Sequence, residues 1–259
     1  MEYIIKINPA YEKYRPAIEE IIRKGRPERS TVIYKGRNIL YKTDLGGVTA
    51  VVKEFKKPNA VNAYAYTTVR KSKARRSFEN ASKMASLGFL TPGPIAYGEE
   101  RDGLRLGRSC YISLELTGAT EMRHWEDHPC AATLVPAFAS EIWRLHQAGV
   151  WHKDFSPGNI LYTISPNGRY EFHYVDLNRM KFGVHDPKRL MSMFRSINLN
   201  PAETARLGRL YAAASGKDAA AMEKEALRRL EGYFAERRRK ALFKRLIHGR
   251  ILPERNRAE

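Results

Sequence analysis

Residues 150–162 read Val-Trp-His-Lys-Asp-Phe-Ser-Pro-Gly-Asn-Ile-Leu-Tyr, and the rest of the chain is interpreted from this stretch. It fits the pattern H-x-D-x-x-x-x-N, which holds a histidine, an aspartate and an asparagine at fixed spacing. It follows a predicted helix over residues 131–147 and runs into an apolar strand. Asp154 and Asn159 are therefore expected on a loop between a helix and a strand.

A second carboxylate stands at the end of the next β-type run. Asp176 follows residues 170–175 and lies seventeen positions after Asn159. An aspartate that leaves a buried strand can hold Mg²⁺, and the Asn159 amide oxygen can bind the same ion. Asp154 then suits a carboxylate that orients an attacking hydroxyl and accepts its proton. This order predicts phosphoryl transfer, with Asp154 catalytic and with Asn159 and Asp176 as metal ligands.

The first half of the chain reads as a small antiparallel sheet with one helix against it. Its strand-like runs are rich in β-branched and aromatic residues, and glycine-containing turns separate the first three. The runs are 31–34, 38–42, 48–55, 95–99 and 109–116. Residues 60–87 lack Gly and Pro, which predicts one long helix that Gly88 ends.

The second half reads as mostly helical. Helices are predicted over residues 186–196, 201–214 and 218–248, the last with a break near Gly232. The predicted fold class is therefore α+β, with a β-sheet lobe over residues 1–117 and a helical lobe over 118–259. The first lobe is expected to bind a nucleotide, and the second to carry the catalytic loop, the metal loop and the acceptor site.

Two residues of the first half are assigned to the phosphates. Lys53 lies in the third strand, like the lysine of a V-A-I-K strand that holds the α and β phosphates. Alone, it would be interpreted as a solvent-facing strand lysine. Glu79 is the only acidic residue between Pro58 and Glu99, so by exclusion it is expected to orient Lys53.

The remaining nucleotide contacts are assigned to the first hairpin and the last strand of the sheet. There is no G-x-G-x-x-G, but the hairpin offers Lys35-Gly36-Arg37. The backbone amides of this turn, helped by Lys35 or Arg37, are expected to cover the phosphates. Glu115, at the end of the last strand, is also assigned to nucleotide binding.

The chain resembles the lipopolysaccharide core kinases, which phosphorylate Kdo or heptose sugars and belong to the protein-kinase-like superfamily. The resemblance covers roughly residues 30–195. The motifs that carry it are Lys53, residues 75–79 leading into 88–94, residues 152–159 and residues 176–179. It implies a two-lobed protein-kinase-like fold, ATP and Mg²⁺ as cofactors, and a glycolipid or sugar acceptor.

Several departures from protein kinases favour a small-molecule or glycolipid acceptor. Asp-Phe-Gly is replaced by Asp176-Leu177-Asn178, and Lys153 stands for the arginine of H-R-D. No A-P-E follows, and only about ten residues separate Asn178 from the next predicted helix. Little room is left for the segment that presents peptides. The open alternatives are a kinase of another small molecule or of protein, and a pseudokinase or nucleic-acid-binding module.

The net charge of +18 favours an anionic partner. Basic residues cluster on the predicted helix, at Arg70, Lys71, Lys73, Arg75 and Arg76, and again at 237–240. Near the second cluster, apolar residues recur at helical spacing and predict a core face: Leu227, Leu230, Phe234, Leu242 and Leu246. The two clusters either form solvated surface or attract an anionic partner. That partner would be a phosphorylated glycolipid or the anionic inner membrane face. No nucleic acid is expected, and no signal peptide or membrane span is visible, which predicts a cytoplasmic location.

Overall fold

A computed structural model describes residues 2–127, 131–197 and 199–248 of the chain. The chain forms two compact units. The first spans Met1–Pro129 and His152–Phe182, and the second spans Cys130–Trp151 and Gly183–Glu259. These units are defined by compactness, whereas the predicted boundary between residues 117 and 118 is functional and stays a prediction.

The first unit is built on a six-stranded antiparallel sheet. Its strands are β1 (Glu2–Ile7), β2 (Thr31–Lys35), β3 (Ile39–Asp44), β4 (Thr49–Phe55), β5 (Pro94–Asp102) and β6 (Arg105–Leu114). They lie in the order β1-β5-β6-β4-β3-β2, so the predicted meander β2-β3-β4 is confirmed. Within the sheet Lys53 of β4 stands opposite Leu40 of β3 and Tyr111 of β6.

Helices cover both faces of this sheet. Helix α1 (Arg15–Lys24) buries Ile18, Ile21 and Ile22 in a cluster that includes Val52 of β4. The other face packs through Phe55 against a helix over residues 73–86, described next. Because side chains alternate along a strand, Lys53 projects to the same face as Phe55. The sheet therefore delivers the Lys53 ammonium to the face that carries the candidate site.

The predicted single helix over residues 60–87 is wrong. Two helices are present, α2 (Ala60–Thr68) and α3 (Lys73–Ser86). The β-branched run 67–69 is a weak helix former, and the Ser72 side chain accepts a hydrogen bond of 3.0 Å from the Arg75 N–H as an N-cap. The interruption lets α3 take its own direction against the sheet.

Shorter elements complete the first unit. A second sheet has the order β10-β9-β7 and comprises β7 (Thr120–Glu121), β9 (Ile160–Ile164) and β10 (Tyr170–Tyr174). Two further strands are β8 (Trp151–His152) and β11 (Met180–Lys181). Segments of 3-10 helix occupy Pro9–Tyr14, Met122–Asp127, Pro157–Asn159 and Leu177–Arg179. Asn159 ends the third of these segments, and Asp176 directly precedes the fourth.

The second unit is helical. Its helices are α4 (Ala131–Gln147), α5 (Pro187–Met191), α6 (Phe194–Ile197), α7 (Pro201–Ser215) and α8 (Ala219–His248). Tyr211 of α7 is buried at its centre, where its hydroxyl lies 2.9 Å from the His146 Nδ1 of α4. The predicted break at Gly232 is wrong, because an exposed glycine costs a helix only about 1 kcal/mol relative to alanine.

The outer half of α8 departs from the predicted core face. Leu230 is buried, but Phe234 and Leu242 are 39% and 59% exposed. The side chain of Leu246 lies outside the described residues. The apolar spacing therefore marks packing only in the first half of the helix. None of the helices in the described part of the chain combines the length and apolarity of a membrane span.

Candidate active site

The centre of the candidate site is an ion pair between β4 and the loop after β10. The Lys53 Nζ lies 2.7 Å from the Asp176 Oδ1. The two residues are 123 positions apart in sequence, so the fold alone brings them together. Among the described residues, Asp176 is the one non-glycine residue with a positive φ, at 56°. Aspartate tolerates this left-handed conformation better than most residues, and such conformations cluster at functional sites.

The Asp176 carboxylate is held ionised by its surroundings. Burial raises its pKa, but the Lys53 charge, the Lys53 hydrogen bond and a hydrogen bond from Asn178 outweigh burial and lower the pKa. The Asn178 Nδ2 donates to Asp176 Oδ1 at 2.6 Å. Asp176 is therefore available as an anion at neutral pH, as a magnesium ligand must be.

Helix α3 supports this loop through a residue that sequence reasoning missed. The Asn80 Nδ2 donates to the Leu177 carbonyl oxygen at 2.6 Å. Asn80 directly follows Glu79 and gives no signal of its own in the sequence. Only the facing of α3 towards residues 177–179 identifies it as a positioning residue.

The catalytic loop is fixed by a buried, neutral histidine. The Asp154 N–H donates to the His152 Nδ1 at 3.2 Å, so the other ring nitrogen, Nε2, carries the proton and donates to the Val175 carbonyl at 3.1 Å. Burial lowers the pKa of His152 against the opposing influence of Val175, Asp154 and Asp176. His152 therefore braces the loop and links it to Val175, the residue before Asp176.

Asn159 closes the same loop. Its Nδ2 donates to the Asp154 carbonyl oxygen at 2.8 Å, and its own carbonyl accepts from the Val175 N–H at 3.0 Å. This use of the amide nitrogen leaves the Asn159 amide oxygen as the atom for a cation. The Arg123 guanidinium packs against Gly158, in the space that a Cβ would take.

The Asp154 carboxylate is bound by an arginine. The Arg179 Nη1 lies 2.8 Å from Asp154 Oδ1 and 3.1 Å from Oδ2. The pair joins Arg179 to the candidate catalytic aspartate, and it is partly exposed.

The segment over residues 88–94 holds the strand that precedes Asp176. The Thr91 Oγ1 donates to the Tyr174 carbonyl at 2.8 Å, and the Tyr174 N–H donates to the Leu90 carbonyl at 3.1 Å. Below the catalytic loop, the buried Phe155 ring stacks on Tyr174 with centroids 6.2 Å apart. The catalytic loop and the loop of Asp176 are therefore both anchored at Tyr174.

Glu79 does not occupy its predicted place. Among the described residues, its carboxylate pairs with the Lys71 Nζ at 2.7 Å and the Arg75 Nε at 2.8 Å, and the predicted pair with Lys53 is not formed. Burial raises the pKa of Glu79, but hydrogen bonds from Lys71 and Arg75 outweigh it and lower the pKa. Glu79 is the only acidic residue between Pro58 and Glu99, but Arg75, one helical turn earlier, competes with Lys53 for its carboxylate.

The hairpin assigned to the phosphates is present, and Lys35, Gly36 and Arg37 form its tip between β2 and β3. The Gly36 N–H donates to the Asn38 carbonyl at 3.0 Å, and a Cβ at Gly36 would strike the Tyr34 ring. The Arg37 side chain lines a cavity beside the tip. The role of these residues in binding phosphates stays a prediction.

Glu115 is engaged within the sheet. Its carboxylate forms an ion pair with Lys42, and its N–H donates to the Thr49 carbonyl at 3.0 Å. In this conformation the Glu115 carboxylate is taken up by Lys42. A contact between Glu115 and a nucleotide stays a prediction.

The donor set around Asp176 fits Mg²⁺. This ion keeps several waters and takes one or two carboxylates together with substrate phosphates, rather than an all-protein cage. The structure supplies the Asp176 carboxylate and the amide oxygen of Asn159. The described residues contain no cluster of three or more His, Cys, Asp or Glu side chains that could hold a metal.

Comparison with known proteins gives the site its context. The sequence model of the lipopolysaccharide kinase (Kdo/WaaP) family matches residues 39–211. The chain belongs to this family. The matched region includes Lys53, Asp154, Asn159 and Asp176, and the chain is therefore a kinase, a phosphotransferase with an alcohol group as acceptor. No curated protein sequence matches.

One solved structure shares the fold over nearly its whole length and confirms the predicted α+β, protein-kinase-like fold. "WaaP in complex with acyl carrier protein" is similar with a TM-score of 0.56 and 20% identity, covering 93% of this chain and 98% of that one. The Rio2 kinase complex with ADP, Mg²⁺ and phosphoaspartate from Chaetomium thermophilum gives 0.45 and 18%, covering 81% and 71%. A MAP kinase from Leishmania major gives 0.42 and 15%, covering 86% and 66%.

Proposed function

We propose that the chain is an ATP- and Mg²⁺-dependent kinase that phosphorylates a Kdo or heptose hydroxyl of the lipopolysaccharide inner core. The observation that carries the proposal is the 2.7 Å pair between Lys53 and Asp176, beside a catalytic loop that presents Asp154. One unit of the fold then holds all three residues: Lys53 for the phosphates, Asp176 for the metal and Asp154 for the sugar hydroxyl. Family membership supplies the sugar as the acceptor class.

Each residue then has a role in the transfer. ATP supplies the phosphoryl group, and Mg²⁺ neutralises charge on the phosphates. Lys53 holds the α and β phosphates, which requires its ammonium to exchange Asp176 for the nucleotide. Asp176 and Asn159 hold the metal. Asp154 orients the sugar hydroxyl and accepts its proton, and Arg179 positions the Asp154 carboxylate.

The short stretch after the metal loop supports a sugar rather than a peptide acceptor. Helix α5 begins at Pro187, soon after the turn Leu177–Arg179. Protein kinases place a long activation segment and an A-P-E motif at this point, and neither is present in the sequence. A small acceptor needs no peptide-docking segment.

An acceptor panel tests the proposal. Purified protein is incubated with γ-labelled ATP and Mg²⁺ and with either Kdo-lipid A, heptosylated core, lipid A without Kdo, or a generic protein substrate. We expect label in one of the first two only, and none when EDTA is added. Transfer to the protein substrate alone, or to lipid A without Kdo, would contradict the sugar assignment and favour the alternative acceptors.

The exposed half of α8 supports the proposed cytoplasmic location at the membrane face. Its exposed residues are basic at 237–240 and apolar at Leu242 and Phe243, which are 59% and 64% exposed. Basic and aromatic side chains together suit anionic headgroups, each cation contributing about 1 kcal/mol near such a surface. We propose peripheral contact with anionic lipid through this surface.

Vesicle sedimentation measures this contact. Binding to vesicles with anionic lipid should exceed binding to neutral vesicles, and Arg238→Gln with Arg239→Gln should lower it. Arg144→Gln, which removes a basic residue on another helix, is the control. The solved WaaP holds an acyl carrier protein, so we propose acyl carrier protein as a second partner to be tested by titration in the same buffer.

A further inference from the structure

A separate cavity of about 250 Å³ lies in the first unit, beside the tip of the β2–β3 hairpin. Residues after β4, the start of α2 and the start of α3 form its walls. Its four charged lining residues are all basic: Arg37, Lys56, Lys57 and Lys73. No Asp or Glu lines it, and of the predicted nucleotide residues only Arg37 reaches it. The space exceeds the ~30 Å³ share of one water several-fold.

These cations are uncompensated within the described part of the chain. No ion pair or hydrogen bond there involves the ammonium of Lys56, Lys57 or Lys73 or the guanidinium of Arg37. Neighbouring basic residues do have acidic partners: Lys53 pairs with Asp176, and Arg75 pairs with Glu79. Four like charges around one cavity repel one another unless an anion enters.

Lys73 is affected by one of these cations. Burial, and then the Arg37 and Arg76 charges, lower the pKa of the Lys73 ammonium, while the Asp176 charge opposes them. Lys73 opens α3, whose N-terminal N–H groups also favour an anion. An anion in the cavity would offset the repulsion between Lys73 and Arg37, and the N-terminal N–H groups of α3 would stabilise it.

Two asparagines at the start of α2 add polar groups to the lining. Asn59 caps α2, and its Oδ1 accepts from the Asn62 N–H at 3.0 Å and from the Asn62 Nδ2 at 2.8 Å. Asn59 and Asn62 both line the cavity, as does Tyr66. The ligand therefore meets hydrogen-bonding groups of set orientation as well as charge.

We propose that this cavity is a second anion site that binds a phosphate monoester. A phosphate monoester carries close to two negative charges and three acceptor oxygens, which matches several lysines acting as point charges with one arginine. A single carboxylate offers half the charge. An extended polyanion would need a groove longer than a cavity of this size.

Inorganic phosphate is the probe for the site. Its binding to the full chain is measured by calorimetry at constant ionic strength, with a non-hydrolysable ATP analogue and Mg²⁺ present. A hydrogen bond to a charged group is worth about 1.5–3 kcal/mol, so removing one weakens binding ~10-fold or more. We expect at least this loss for Lys57→Gln with Lys73→Gln, and less than ~2-fold for Lys83→Gln, an exposed lysine of the same helix.

Two further variants keep the result interpretable. Lys73→Arg keeps the charge and should retain binding even where a glutamine variant fails to fold. Lys53→Met alters the proposed catalytic site and should leave phosphate binding in place, so failure of the second site is distinguishable from failure of the kinase proposal. Absence of binding by the unaltered chain, or equal losses in Lys83→Gln, would overturn the proposal.

The source of the phosphate is read from kinetics with two acceptors. If the acceptor glycolipid supplies it, Lys57→Gln with Lys73→Gln raises the KM for a phosphorylated lipid acceptor and not for its dephosphorylated form. If a free phosphate ester supplies it, the double variant leaves the KM values for the two acceptors equal to each other. Added inorganic phosphate then alters transfer by the unaltered chain and not by the double variant. Either result supports the anion site and identifies its occupant.

Discussion

Arg179 binds the carboxylate of Asp154 with one guanidinium nitrogen, at 2.8 Å from Oδ1 and 3.1 Å from Oδ2. The two residues lie 25 positions apart, one in the catalytic loop and one in the turn after Asp176. The residue proposed to accept the proton of the sugar hydroxyl and the loop proposed to hold the metal are thereby joined by a side-chain contact. A change in either loop should be felt by the other.

Replacing Arg179 tests this contact. Arg179→Gln should lower kcat by about 10- to 100-fold with little change in the KM for ATP, because the reacting carboxylate loses its orientation. Arg179→Lys should recover part of the loss. Arg169→Gln, in an exposed turn, is the matched control. A change confined to the KM for ATP would show that Arg179 acts on the nucleotide instead.

Replacing Asn80 tests how α3 positions the metal loop. Asn80→Leu leaves the Leu177 carbonyl without its 2.6 Å donor, which should cost about 1–3 kcal/mol of unfolding free energy. The Mg²⁺ concentration for half-maximal activity should rise as well. Ser82→Ala on the same helix is the control. Unchanged Mg²⁺ dependence in a destabilised Asn80→Leu would reduce Asn80 to a purely structural residue.

The Lys53–Asp176 pair predicts a pH-dependent stability. The lowered pKa of Asp176 means that the pair stabilises the fold above the unfolded carboxyl value of about 3.9, and that this stability is lost as pH falls through the lower folded pKa. Asp176→Asn should therefore be less stable at pH 7 by on the order of 1–3 kcal/mol. Denaturant unfolding should show the deficit shrinking below pH 4. A constant deficit would mean that the charge is not its cause.

His146 predicts a second pH dependence, in the helical unit. Burial, and then the Lys217 charge, lower its pKa to about 3. Because an unfolded histidine titrates near 6.5, the unfolded chain binds more protons between those values, and the unfolding free energy falls as pH falls through this window. His146→Gln should flatten the decline by up to about 1.4 kcal/mol per pH unit. Parallel curves for both proteins would contradict this.

The residues nearest the chemistry could be predicted from sequence because their spacing is local. Asp154 and Asn159 sit in one loop, and Asp176 follows one hairpin later. Lys53 required only a strand assignment and an analogy. The pairing of Lys53 with Asp176 then follows from the fold, which the sequence pattern could indicate but not measure.

The residues that depend on how α3 lies against the sheet could not be predicted. Lys73 and Asn80 are seven positions apart and share one helix face, whereas Arg75 and Glu79 share another. The break before Ser72 sets which face meets the metal loop. Reading 60–87 as one helix hid that break, and Glu79 was placed opposite Lys53 for lack of another acid.

The N-terminal helix was missed although its signal was present. Ile18, Ile21 and Ile22 recur at helical spacing between Pro16 and Gly25, and they cover one face of the sheet. The sequence motifs used for the prediction begin at Thr31, so neither this helix nor the strand Glu2–Ile7 before it is among the predicted elements.

The most direct measurement is single-turnover transfer of γ-labelled phosphate from ATP to an inner-core glycolipid by the unaltered chain and by Asp154→Asn. We predict labelled glycolipid with the unaltered chain, a loss of at least ~10³-fold in Asp154→Asn, and ATP binding that is nearly equal in the two proteins. Equal labelling by both proteins, or no labelled sugar with any inner-core acceptor, would contradict the proposed site and function.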